Sequence, residues 1–294
     1  MDDLAQEHDL ATPVQKLKPF PGMIAYFDIL GYKQIAQSGI TKNIAEVLNI
    51  LHTAKQPIKE EIKATDLKSY FNVAGFGQTV QTVLDSIETE NVSDSLVSTI
   101  NFTTCAKLEM VVGNAKPIDS TWFPAYVFVL YCKRLNALLF KAGLPVRGAI
   151  EYGDIFKQER ILAGKPLINA YSLSESLNCA GVVLTIATET WLKNLPCFCP
   201  LLIWQYFNLL RVPTKKGVFE LQCLVNPGMF DKRTPISDIR NFACASFSKH
   251  DKDVSVDVLE KLENTIRLLG AELAAEVQKR HTPGALKLQP EKTP

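Results

Sequence analysis

The 294-residue chain is 47% hydrophobic and 21% charged, ordinary globular usage that supports a sizeable core and excludes wholesale disorder. Thirty-two Lys and Arg face thirty-one Asp and Glu, so the net charge of +1 gives no long-range field for nucleic acid or anionic lipid. Any phosphate recognition must be local, and neither nucleic acid nor a membrane is an expected partner.

The first ten residues, MDDLAQEHDL, are acidic and polar where a secretory signal needs a basic start and an apolar core, so the expected location is the cytoplasm. Residues 1–21 carry Pro13, Pro19 and Pro21 without a sustained period and read as a loose arm. Met23 to Ile29 is a short apolar run bounded by Pro21-Gly22 and Gly31, which suits a buried strand. A helix follows through Ile35, Ile40, Ile44, Val47, Leu48 and Leu51, with Gly39 placed to split it, and Lys63 to Gln78 reads as a helix end and loop. Ser86 to Glu90 and Leu96 to Phe102 are strand-like, and Asn91-Val-Ser-Asp94 between them predicts a hairpin with Asp94 at its tip.

Trp122 to Phe140 is the most apolar long stretch, but Lys133 and Arg134 interrupt it where a membrane span would need ~20 apolar residues. It predicts a buried helix, from about Pro124 to Lys141, stopped at Gly143. Then come a strand (Val146 to Tyr152), a helix from near Lys165, a strand (Gly181 to Ile186) and a helix with Thr188 as its N-cap. Leu201 to Leu210 and Val218 to Val225 are strand candidates flanking Lys215-Lys216-Gly217. This order predicts an α+β fold, a ferredoxin-like sheet with helices on one side, rather than a doubly wound parallel sheet. Past Pro227 the chain turns polar, then an amphipathic helix is expected over Val254 to Val277, packed on the domain or on a partner subunit. The expected organisation is an arm (1–21), one catalytic domain (22–226) and a C-terminal helical extension (227–294).

The seven cysteines are odd in number, scattered and mostly in apolar runs, the pattern of reduced thiols. Cys197-Phe-Cys199 is the only close pair, and four histidines do not supply zinc-site spacing. The more informative residue is Asp28, an acid inside an apolar strand, because an unpaired buried carboxylate is costly. It either caps the following helix or meets a cation. Asp94, at the hairpin turn, reads alone as an Asx turn. Two carboxylates at one end of a sheet, however, repel unless cations lie between them, and Mg²⁺ takes one or two carboxylates with phosphate oxygens and water completing its shell. A triphosphate would supply those ligands. Arg147, on a central strand, must be paired, at an interface, with a carboxylate or in a catalytic role.

Tyr26-Phe-Asp28-Ile-Leu-Gly31-Tyr32 resembles the metal-binding first strand of the class III adenylyl and guanylyl cyclases, Val92-Ser-Asp94-Ser-Leu resembles their second metal segment, and Leu144-Pro-Val-Arg147-Gly-Ala-Ile-Glu-Tyr-Gly153 resembles their central strand. Together with Gly164-Lys-Pro-Leu-Ile-Asn-Ala-Tyr171-Ser-Leu173, these segments are most similar to the pyrimidine cyclases of the Pycsar anti-phage systems. The resemblance spans about Met23 to Asn226. It implies a class III cyclase-type fold in which Asp28, Asp94 and the carbonyl of Ile29 hold two divalent metal ions, Mn²⁺ or Mg²⁺. It further implies that the amides of Leu30, Gly31, Tyr32 and Lys33 cradle phosphate, with Lys33 and Lys215-Lys216, Lys216 above all, as local cations or else plain exposed turn lysines.

The transition-state Asn and Arg of adenylyl cyclases fall here on Ile168 and Ser172, with Asn169 out by one, so Arg147 and Asn169 are the candidates for transition-state support. The adenine-reading lysine is replaced by Glu90, whose carboxylate accepts from a pyrimidine N–H or else is a solvated strand residue. The expected function is conversion of UTP, or alternatively CTP, to the 3′,5′-cyclic monophosphate and pyrophosphate by a homodimer with sites between its subunits, the product acting on a separate effector in anti-phage defence. An adenylyl or guanylyl cyclase, and an inactive cyclase-like nucleotide-binding dimer, are the rivals.

Overall fold

The structure, a computed structural model, describes residues 18–32, 49–50, 53–55, 58, 62, 76–105, 121–159, 161–195, 203–224, 236–248 and 256–281. The expected helix after Gly31 falls mostly outside these residues, as do Lys33, Cys197 and Cys199. The elements are β1 (Phe20–Ile29), α1 (Phe76–Asp85), β2 (Ile87–Val92), β3 (Ser95–Asn101), α2 (Phe102–Cys105), α3 (Trp122–Lys141), β4 (Val146–Gln158) and β5 (Ile161–Ala163), then α4 (Lys165–Ser176), β6 (Gly181–Leu184), α5 (Ile186–Lys193), β7 (Phe207–Thr214), β8 (Gly217–Leu224), α6 (Ile236–Ser248) and α7 (Val256–His281).

The strands form one sheet in the order β2-β3-β1-β4-β6-β8-β7, with β5 paired to β4. Its first four strands are antiparallel neighbours in the order 2-3-1-4, joined as β-α-β-β-α-β, which is the ferredoxin-like arrangement. The fold is α+β. Beyond β4 the sheet continues through β6, parallel to β4, and the β7–β8 hairpin.

Strand alternation divides the core in two. Met23, Ala25, Phe27 and Ile29 of β1 meet Leu96, Ile100, Val146 and Ile150 under α1 and α3. On the opposite face Ile24, Val97, Ala149 and Val183 lie under Ala170 of α4 and Leu268 of α7. Helices thus cover both faces, not one as expected, which explains why β1 reads as a nearly continuous apolar run. α3 is long and apolar enough to cross a membrane, yet 89% of its apolar window is buried inside the protein, as predicted for a core helix. It stops at Gly143, whose φ of 80° favours glycine.

Several boundaries differ from expectation. Phe20 and Pro21 belong to β1, opposite Ile155 and Asp154, and are not part of a loose arm. α5 is capped by Thr185, whose Oγ1 accepts from the Thr188 N–H at 3.3 Å, so Thr188 lies inside the helix. α1 and α6 were not expected. α7 packs on the domain: Thr265 Oγ1 accepts from the Ala180 N–H at 2.8 Å, and Asn264 donates to the Asn178 carbonyl at 2.9 Å. Cys105, Cys132, Cys179, Cys223 and Cys244 are free thiols, and burial pushes that of Cys179 up to about 12.

Candidate active site

Asp28 lies at the C-terminal end of β1, opposite Ser95 of β3 and Arg147 of β4, on the face beneath α4. The cation its burial required is Arg147, whose Nε donates to Asp28 Oδ2 at 2.5 Å, both side chains being about a tenth exposed. The same guanidinium donates through Nη2 to Glu175 and through Nη1 to the main-chain oxygens of Glu175 (3.2 Å) and Leu177 (3.5 Å). Burial pushes the Asp28 carboxyl up from its ordinary range, the hydrogen bond and charge of Arg147 offset part of that, and Glu175 and Asp94 add to the rise.

Asp94 sits in the exposed turn between β2 and β3, after Ser93 at φ 60°. Its carbonyl accepts the Ile29 N–H at 3.0 Å, which ties the hairpin turn to the end of β1. Ser95 Oγ lies 3.3 Å from Asp94 Oδ1 and 2.5 Å from the Tyr26 hydroxyl, and Tyr26 meets Tyr171 of α4 edge to face at 5.3 Å. Burial raises the Tyr26 hydroxyl, the Ser95 bond lowers it, and the charges of Asp28 and Asp94 raise it further. The two acids singled out in the sequence are therefore neighbours, close enough for the charge of Asp94 to raise the Asp28 carboxyl.

The other expected residues divide. Gly31 adopts φ 76° in the turn that closes β1, a conformation that favours glycine, and Tyr32 packs against the core. The Leu30 N–H, however, donates to the Pro145 carbonyl at 2.9 Å, so this amide is not a phosphate donor in this conformation. Lys216 lies at the exposed tip of the β7–β8 hairpin. Its neighbour Lys215 is the lysine brought to the Arg147 cluster, with Nζ 3.6 Å from Glu175 Oε2 and its N–H donating to the Ser176 carbonyl at 2.8 Å. Glu175 was not singled out in the sequence, because one Glu on an amphipathic helix looks like a solvated face.

Asn169 is not brought to Asp28. Its Nδ2 donates to Glu151 Oε1 at 3.0 Å, and Glu151 lies four residues along β4 from Arg147, about 13 Å at strand spacing. Glu151 is 3% exposed, also accepts from Thr185 Oγ1, and is pushed up chiefly by burial. The unfolded chain therefore releases this proton near pH 4.3 while the fold still holds it, so stability falls as pH rises through the window above about 4.3. Glu151→Gln keeps the acceptor oxygen and removes the titration. Chemical denaturation at pH 4.5 and pH 7 should show a smaller stability loss between the two values for the variant than for wild type.

Glu90 shares the Asp28 face, since Glu90 pairs with Val97 and Val97 with Tyr26. Its carboxylate is 2.6 Å from Lys157 Nζ, and Lys157 also pairs with Glu88. Regular alternation ends at Val92, and Asp94 belongs to the turn.

Among the described residues no group of three or more His, Cys, Asp or Glu forms a protein metal cage. Asp28 and Asp94 nevertheless fit a hard dication that takes the rest of its shell from phosphate and water, because the bond from Arg147 engages only Oδ2 of Asp28 and Asp94 faces solvent.

No protein-family model and no curated protein matches the chain. Among solved structures it is similar to the crystal structure of the catalytic core of a rhodopsin-guanylyl cyclase with converted specificity in complex with ATPαS, at 12% identity and a TM-score of 0.40, over 71% of this chain and 98% of that one. So slight a likeness carries no functional argument, and the assignment of the fold rests on the strand order itself.

Proposed function

We propose that the chain is a nucleotide cyclase converting UTP, with CTP as the second choice, to the 3′,5′-cyclic nucleotide and pyrophosphate. The observation that carries this reading is the junction of Asp28 and Asp94, two carboxylates held at one end of a ferredoxin-like sheet by the Ile29 N–H to Asp94 carbonyl bond. Divalent ions held by Asp28, Asp94 and the Ile29 carbonyl would neutralise the triphosphate and lower the pKa of the ribose 3′-hydroxyl.

The chain's own residues do the rest. Arg147 offsets the burial of Asp28 and favours its ionised form, and the Tyr26–Ser95 contact braces Asp94. The amides of Gly31 and Tyr32, in the turn that closes β1, and the lysines of the β7–β8 hairpin would hold phosphate oxygens. The 3′-oxygen then bonds to the α-phosphorus as the bond to the β-phosphate oxygen breaks. Pyrophosphate leaves, and the hydroxyl proton passes to solvent. Ile168 and Tyr171, 63% and 48% exposed on α4, offer a surface that suits a second copy, in keeping with a homodimer. The resemblance to the Pycsar cyclases supports a messenger role in anti-phage defence through a separate effector.

One observation favours a second reading, a nucleotide-binding dimer without turnover: Asn169 is committed to Glu151, and Ile168 and Ser172 stand where Asn and Arg would act. Incubating the purified protein with each of the four triphosphates and Mn²⁺, and weighing the products, tests both. Cyclic UMP is the expected principal product. Bound but unconverted triphosphate would support the second reading.

Glu90, fixed by Lys157 on the Asp28 face, is proposed to accept from the pyrimidine N–H. Glu90→Gln should lower kcat/KM for UTP relative to ATP by about tenfold, the worth of one hydrogen bond to a charged group. Equal losses across all four triphosphates would assign Glu90 to the strand alone.

A further inference from the structure

The guanidinium of Arg147 is bound on every side: Asp28 at Nε, Glu175 at Nη2, and the carbonyls of Glu175 and Leu177 at Nη1. It cannot reach a phosphate without giving these up, so its geometry is that of a strut between two carboxylates. Beyond it the charges continue to alternate, Asp28, Arg147, Glu175, Lys215, with the last link at 3.6 Å, longer than a hydrogen bond, from a half-exposed lysine. The hairpin bearing Lys215 is itself clamped to the end of α4 by the Leu177–Thr214 bridge, by the Asn178 N–H to Pro213 carbonyl bond at 3.0 Å and by the Lys215 N–H to Ser176 carbonyl bond. Lys215 Nζ thus makes the longest contact of the set, and Glu175 is the residue on which both cations converge.

We propose that Glu175 is a positioning residue: through Arg147 it holds Asp28 by Oδ2 and leaves Oδ1 for a cation, and through Lys215 it keeps a positive charge at the site for the triphosphate. This rests on the cyclase reading. Asp28, Asp94 and Glu175 against Arg147 and Lys215 leave one net negative charge, so neutralising Glu175 removes the site's excess attraction for a dication while Asp28 and Asp94 stay in place. Groups that orient a metal ligand in this way affect metal affinity nearly as strongly as the ligands themselves.

The test is Mn²⁺ titration followed by electron paramagnetic resonance in the presence of 3′-deoxy-UTP, which lacks the attacking hydroxyl and cannot cyclise. Glu175→Gln should weaken Mn²⁺ binding by about tenfold with its melting temperature nearly unchanged. Glu175→Asp, which keeps the charge, should restore most of that affinity. Lys215→Ala should weaken 3′-deoxy-UTP binding by about twofold to fivefold, the scale of one exposed ion pair. A folded Glu175→Gln variant with wild-type Mn²⁺ affinity would overturn the role of Glu175. Should that variant fail to fold, unaltered 3′-deoxy-UTP binding by Lys215→Ala would overturn it instead. Wild-type protein that binds no Mn²⁺ with 3′-deoxy-UTP would remove the cyclase reading itself, an outcome separate from either variant's.

Discussion

Asp28→Asn and Asp94→Asn are each expected to lower the rate of cyclic nucleotide formation at saturating Mn²⁺ by about a hundredfold or more. A metal ligand contributes several kcal/mol to the stabilisation of developing charge, and each 1.36 kcal/mol is a factor of ten. The two variants should differ in other respects. Asn at 28 keeps an oxygen that can accept from Arg147 Nε and loses a charge that burial opposes, so the fold should persist. Asn at 94 lies in an exposed turn and should leave the melting temperature unchanged. Initial rates combined with thermal melting check both, and near wild-type turnover in either variant would refute the assignment of both carboxylates to the metal.

Arg147→Ala should have the largest effect on stability. Removing one partner of a buried ion pair strands the other, at a cost of about 3–5 kcal/mol, which for a domain of this size is about 6–20 °C in Tm. Among the described residues it is Arg147 that offsets the burial of Asp28, so without it the carboxyl should rise further. The sign then follows: the folded variant holds a proton that the unfolded chain has released, and its deficit should grow as pH rises above the ordinary carboxyl range. Melting at pH 5 and pH 8 measures this. Combining Arg147→Ala with Asp28→Asn should recover part of the loss, since the buried stranded charge is then gone and only the part-exposed Glu175 has lost its partner. A variant equally destabilised at both pH values would mean that lost packing, rather than the stranded carboxylate, sets the cost.

The elements legible in the sequence were those in which pattern and packing agree. β1, the β2–β3 hairpin, α3 and β4 carry apolar runs bounded by Gly, Pro or an Asn/Ser/Asp turn; Asp28 stands out as an acid inside such a run, and the metal role of Asp28 and Asp94 comes with the resemblance. α1 is hard to see in the sequence although Val80, Val83 and Leu84 form its buried stripe, because the stretch before it is polar. α6 was missed for a similar reason: Ile239, Ala243 and Phe247 recur every fourth residue inside a segment otherwise rich in polar side chains.

The site was legible only as far as single residues allow. An acid within an apolar strand announces that it needs a cation, and Asp28 duly has Arg147. What no local pattern shows is which distant side chains converge. Glu175 reaches Arg147 through the docking of α4, Lys215 reaches Glu175 from the β7–β8 hairpin, and Asn169 turns to Glu151 because helix phase, not sequence proximity to a motif, decides its direction.

The claim that Asp28 and Asp94 together bind the cation of a nucleotide site can be met directly by a crystal structure with Mn²⁺ and 3′-deoxy-UTP, using anomalous scattering to locate the metal. Anomalous density within about 2.1 Å of carboxylate oxygens of both Asp28 and Asp94, with phosphate oxygens completing the shell, is the expected result. Mn²⁺ bound away from either carboxylate, with Arg147 still alone on Asp28, would contradict it.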